Sequence, residues 1–79
     1  MNVQNFKIRP SKHFVLGWMR KWNYDIEALQ NFLEKAEIEK VGKNKYEAYI
    51  HTKGKSRKII FVMDEERKEI FIITGTEKT

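Results

Sequence analysis

Two nearly continuous apolar runs, IIFVM at 59–63 and IFIIT at 70–74, stand a short charged stretch apart and limit the fold more than any other feature of the chain. Each is too short to be a core helix and is rich in β-branched residues, so both read as strands at the centre of a sheet. DEERK between them reads as the turn of a hairpin. With 79 residues there is room for one domain, 1–79, and one thin core. The sheet must therefore be covered by whatever helices the first half supplies.

Upstream, NFKIR at 5–9 alternates as a short strand would, and Pro10 ends it because proline has no N–H for a ladder. Ser11 caps a first helix. At 100° per residue Phe14, Val15, Leu16, Trp18, Met19 and Trp22 fall in one apolar arc, with His13, Gly17 and Arg20 opposite. His13 and Arg20 come within about 20° of each other, roughly 10.5 Å apart along the axis. Gly17 floors the gap between them, at a cost to the helix of about 1 kcal/mol relative to alanine. It either admits a neighbouring strand or loop, or opens a pocket.

Asn23 and Asp25 offer caps for a second helix, DIEALQNFLEKA, whose stripe is Ile26, Leu29, Phe32, Leu33 and Ala36. After it the period changes to two. In KYEAYIHT, Tyr46, Ala48 and Ile50 share one face, and Glu47, Tyr49 and His51 the other. GKNK at 42–45 reads as a bend, KGKS at 53–56 as a hairpin turn and GTEKT as a frayed tail. The expected class is α+β: a short N-terminal strand, a two-helix hairpin, then a three- or four-stranded antiparallel meander with both helices on one face.

The chain has no cysteine, which removes disulfides, thiolate metal sites and a cysteine nucleophile, and only His13 and His51 offer imidazole. No metal and no cofactor are expected. With neither a bilayer-length apolar run nor the apolar core of a signal peptide, the expected location is the cytoplasm, away from membranes. The formal net charge is +5, and residues 40–58 hold seven cations against Glu47 alone. Such a concentration suits a polyanion such as nucleic acid, or an acidic protein segment.

The pieces KHFVLGWMR, GKSRKIIFV and IFIITG, in this order, resemble the compact toxins of the RelE/ParE superfamily, above all the small BrnT-like branch and its uncharacterised relatives. Those relatives open the first helix with a His, place an Arg about seven residues later, set a Gly and an Arg before an apolar strand, and finish on an Ile-Ile-Thr-like strand. The resemblance spans most of residues 6–76 and implies a RelE-like domain. It also implies a metal-independent endoribonuclease of a toxin–antitoxin system, acting on mRNA, free or on the ribosome, and neutralised by an antitoxin protein. The chain departs from other members in having no C-terminal basic helix and no tyrosine near its C-terminus.

Cutting RNA without metal needs a base for the 2′-OH proton, cations for the phosphorane and an acid for the 5′-oxygen. His13 is the candidate base or acid, since imidazole as a class exchanges protons near neutral pH. Arg20 and Arg57 are candidates to hold the phosphate through planar, two-point contacts. Lys55, Lys58, His51, Tyr49 and Thr74 are candidates for binding substrate, Tyr49 by stacking on a base and Thr74 by hydrogen-bonding a phosphate. This reading requires His13, Arg20 and the cationic hairpin to converge. Two others stay open: a non-catalytic nucleic-acid-binding module, and a protein-interaction domain that receives an acidic or β-forming partner.

Overall fold

A computed structural model describes residues 2–78. In chain order it contains strand β1 (Lys7–Pro10), a first helix, helix α2 (Ile26–Lys35) and strands β2 (Glu37–Lys40), β3 (Lys45–Thr52), β4 (Lys55–Asp64) and β5 (Glu69–Lys78). The first helix, α1, opens at Lys12–Phe14 and continues as a π-helical segment over Val15–Met19. The sheet order is β1-β5-β4-β3-β2. β2 to β5 form an antiparallel meander of four strands, while β1 lies parallel to β5, with Ile8 opposite Ile70. The sheet is therefore mixed, a parallel pair added to the antiparallel meander that was expected. A parallel neighbour needs a long crossover, and the two helices between β1 and the meander supply it.

The two apolar runs take the places that their composition demands, β4 in the middle of the sheet and β5 between β4 and β1. Ala48, Ile59, Phe61, Ile70 and Ile72 on one face of the sheet form one cluster with Phe14, Trp22, Leu29, Phe32 and Leu33 of the helical layer. Trp22 is its hub. Its ring lies 6.3 Å from Phe32 in a stacked arrangement and 6.1 Å from Phe14 edge-on. Among the described residues, no helix covers the opposite face of the sheet.

Helix boundaries follow local chemistry. Ser11 Oγ accepts from the Phe14 amide at 3.1 Å and caps α1. Asp25 caps α2 by accepting from the Ala28 amide at 2.8 Å. Asn23, expected as a cap for α2, instead ends α1: at φ 57° it lets the Tyr24 amide reach Met19 O at 2.9 Å and its own amide reach Arg20 O at 3.2 Å. This is a Schellman closure with asparagine in the left-handed position.

Two local departures decide what faces where. In α1, Val15 and Leu16, placed on the apolar arc by α-helical spacing, are 38% and 55% exposed and lie within the π-helical segment, Leu16 at the edge of the arc next to Arg20. The second departure is a bulge in β5. Phe61 pairs with Ile72 but Ile60 pairs with Thr74, leaving Ile73 as the extra residue. Beyond it the alternation is reversed, and Gly75 and Glu77 join Ile70 and Ile72 on the covered face while Thr74 and Thr76 lie on the open one. Ser11 holds β5 there: its amide bonds Ile72 O at 2.9 Å, continuing the parallel ladder of β1, and its hydroxyl bonds Ile73 O at 2.8 Å. The GTEKT segment, read as a frayed tail, is instead strand as far as Lys78.

Candidate nucleic-acid interface

The β3–β4 hairpin turns through Lys53 and Gly54, with Thr52 opposite Lys55 and Gly54 at φ 69°, a backbone angle that glycine adopts without strain. From that turn the alternation of both strands puts His51, Tyr49 and Glu47 of β3 beside Ser56 and Lys58 of β4 on the open face. The bulge adds Thr76 opposite Lys58 and Lys78 opposite Ser56. Together they line a cavity of about 200 Å³, bounded by Tyr49, His51, Ser56, Lys58, Thr76 and Lys78, with Arg57 at its margin. A shallower depression of about 350 Å³ continues around the hairpin tip past His51, Lys55 and Lys78. One imidazole, one phenol and two ammonium groups thus share one end of the open face, with the Lys55 ammonium at the hairpin tip.

Tyr49 and Glu47 are bound to each other. The phenol donates to Glu47, and the hydrogen bond to that carboxylate pushes the Tyr49 hydroxyl up to about 12. Glu47 is held below the usual carboxylate range, chiefly by this hydrogen bond, against a smaller opposing effect of burial and with help from the charge of Lys58. Lys58 Nζ stands 3.6 Å from Glu47 and 5.8 Å from the centre of the Tyr49 ring. Tyr49 is therefore a neutral phenol at physiological pH, with a ring fixed beside a cation. That arrangement suits stacking rather than proton transfer.

Arg57 lies on the covered face. Its Nε donates to Glu77 at 3.0 Å, one terminal nitrogen donates to the Tyr24 hydroxyl at 3.1 Å, and the guanidinium sits 5.1 Å from the Trp22 ring. Burial works against its charge, but the hydrogen bonds with Tyr24 and Glu77 outweigh that and hold the cation more firmly than usual. An arginine committed to a carboxylate, a phenol and an indole has little left for a phosphate.

His13 and Arg20 are exposed on α1, in the helical layer, so the sheet separates them from His51, Tyr49 and Lys58. The expected convergence of His13 and Arg20 with the cationic hairpin does not occur, because the helix packs on one side of the sheet and the hairpin's site faces the other. Arg20 instead borders a shallow cavity of about 290 Å³ with Val15, Met19, Asn23 and Tyr24. A Cβ built on Gly17 meets nothing within 4 Å, so no strand or loop approaches it. Thr74 lies on the open face opposite Ile60, earlier in β5 than the cavity residues Thr76 and Lys78. Thr76 and Lys78 take the positions nearest Lys58 and Ser56. Neither was visible in the sequence, since only the bulge and the full length of β5 bring them there.

Among the described residues, no three His, Asp or Glu side chains gather as metal ligands would, and no helix is long and apolar enough to cross a membrane. No protein-family model matches the chain, and no curated protein matches it closely. Among solved structures it is similar to the solution structure of the conserved hypothetical protein HP0892 from Helicobacter pylori, with a TM-score of 0.61 and 13% identity. The match covers 90% of this chain and 92% of that one, and at this identity it shows a shared fold.

Proposed function

We propose that this is a toxin-like RNA-binding protein that engages RNA on the open face of its sheet and acts as a metal-independent mRNA endoribonuclease in the cytoplasm, under the control of an antitoxin. The observation that carries the reading is the cavity where His51, Tyr49, Lys58, Thr76 and Lys78 meet, continuous with Lys55 around the hairpin. The end-to-end fold match and the motif resemblance support it at the level of architecture.

In this reading the Tyr49 ring stacks on one base, and Lys58, Lys78 and Lys55 hold the adjoining phosphates. His51 accepts the 2′-OH proton as the 2′-oxygen attacks phosphorus. The P–O5′ bond breaks, and the leaving 5′-oxygen takes a proton from a neighbouring ammonium group or water. The lysines stabilise the extra charge on the phosphorane. The cavity has one imidazole, and Arg57 is occupied by Glu77, observations that favour a non-catalytic RNA-binding module as the second reading.

The test is incubation with single-stranded RNA and with ribosome-bound mRNA, with and without chelator. Cleavage that survives chelator, is lost in His51→Ala and persists in His13→Ala is the expected result. Intact RNA bound in a strongly salt-dependent way selects the non-catalytic module, and absence of binding to either RNA refutes both.

A further inference from the structure

We propose that Phe71 is a second base-stacking platform, and that the open face takes a single strand of RNA several nucleotides long, with one base on Tyr49 and another on Phe71. The inference rests on the reading of the open face as an RNA-binding surface.

Phe71 differs from every other ring of the chain. At 44% exposure it is the one exposed aromatic side chain among the described residues. All the other aromatic rings lie against a second ring or close to a cation, and among the described residues Phe71 has neither. The register fixes where it faces. Ile70 and Ile72 on either side of it belong to the core, so Phe71, paired with Val62, stands on the open face.

A strip of β4 joins the two rings. Tyr49 pairs with Lys58 and Phe71 with Val62, four residues farther along β4. Lys58, Ile60 and Val62 alternate onto the open face, with Thr74 opposite Ile60. At about 4.8 Å between strands and about 3.3 Å per residue, two strands across and four residues along put the rings about 16 Å apart. Stacked bases follow one another at about 3.4 Å, so the two platforms serve bases several nucleotides apart.

Charge at the Phe71 end suits the same ligand. Across the sheet the row through this ring reads Arg9, Phe71, Val62, Lys45, a cation at either end. The carboxylates that border the strip have partners within the chain: Glu69 has Arg9 at 3.6 Å, Glu47 has Lys58 at 3.6 Å and the Tyr49 hydroxyl, and Asp64 has Arg67 at 3.9 Å. Among the described residues Lys45 takes part in no ion pair, and the Arg9 side chain is 59% exposed. Both are placed to meet phosphates flanking a base on Phe71. A double helix keeps its base faces stacked inside, so neither ring would gain from it.

The experiment measures, by fluorescence anisotropy, the affinities of labelled 2′-O-methyl oligoadenylates of about three and about nine nucleotides, lengths below and within the usual range of single-strand sites. The methyl group removes the 2′-OH that cleavage would need. The readout is the ratio of the two affinities, because the number of binding registers is the same for every variant. That ratio should fall by about fivefold or more in Phe71→Ala and in Phe71→Leu, which keeps an apolar side chain beside Val62 and loses the ring, and should persist in Phe71→Trp. Leu16→Ala, a comparable loss of exposed apolar surface on the helical layer, should leave it unchanged. A ratio unchanged in both Phe71→Ala and Phe71→Leu, a ratio that leucine preserves, or equal binding of single strands and duplexes of the same length would overturn the inference and leave the RNA reading standing. So would a wild-type dimer, seen by sedimentation, that Phe71→Ala dissolves, since the strip would then belong to a second copy of the chain. No saturable binding of either length would refute the RNA reading itself, and this inference with it.

Discussion

The indole Nε1 of Trp22 donates a 2.9 Å hydrogen bond to Glu77 Oε2, tying the end of the first helix to the last strand across 55 positions of sequence. The same oxygen accepts from Arg57 Nε at 3.0 Å, and Lys21 approaches the other at 3.9 Å. The Glu77 side chain is only 9% exposed, so one carboxylate near the end of the chain joins helix, β4 and β5.

Burial pushes the Glu77 carboxyl up, but the hydrogen bonds from Arg57 and Trp22, with the charge of Lys21 and Arg57, outweigh it and hold the group below its ordinary value of 4.5. A depressed value in the folded state means that the stabilisation is complete above 4.5 and is lost as pH falls through the lower folded value. Thermal melts between pH 6 and about pH 3 should show a decline in Tm that flattens in Glu77→Gln. That variant should also melt several degrees lower at neutral pH, because Arg57 keeps its charge without its counterion.

Two glycines should respond in opposite directions to alanine. A Cβ on Gly75 would stand 3.0 Å from Phe14 Cε1, 3.1 Å from Trp22 Cη2 and 3.2 Å from Lys58 O, the last a backbone atom that cannot yield. Gly75→Ala should cost about 1–3 kcal/mol in urea unfolding. Gly17→Ala, with open space around it, should stabilise by about 0.4–1 kcal/mol.

Tyrosinate absorbance during alkaline titration should reveal one phenol that ionises at about 12, the value to which Glu47 raises Tyr49. Glu47→Gln removes the carboxylate that accepts from it, and this late step should move down towards the ordinary value of 10.0. A late step that stays in place would show that Glu47 is not its cause.

RNA affinity should fall linearly with salt on logarithmic axes. Lys58→Ala and Lys78→Ala should each weaken binding and each reduce the slope by about one, if each contacts one phosphate. Arg20→Ala, on the far side of the sheet, should leave the slope unchanged in the same filter-binding series.

Much of the architecture was legible because it rests on local rules. The apolar arc found its buried positions at Phe14 and Trp22, and the stripe of α2 found them at Leu29, Phe32 and Leu33. Asp25 caps as an aspartate before a helix should, and the alternation of KYEAYIHT put Tyr49 and His51 on the face away from the helices. Arg20 and His13 read as neighbours on an ideal helix, but a helical wheel carries no information about which side of a sheet that helix will cover.

The sequence by itself determined most of the elements, the covered face of β3 and the cationic hairpin, because periodicity of two and near four, caps and turn residues act over a few positions. Only the tertiary structure decided the parallel seat of β1, the π-helical segment over Val15–Met19, and the bulge at Ile73 that sends Glu77 to Trp22 and Arg57 while Thr76 and Lys78 go to the open face. One extra residue in a strand reverses every side chain beyond it, and whether it is inserted depends on what packs against the strand, here the Ser11 hydroxyl on the Ile73 carbonyl and the Phe14 and Trp22 rings over Gly75.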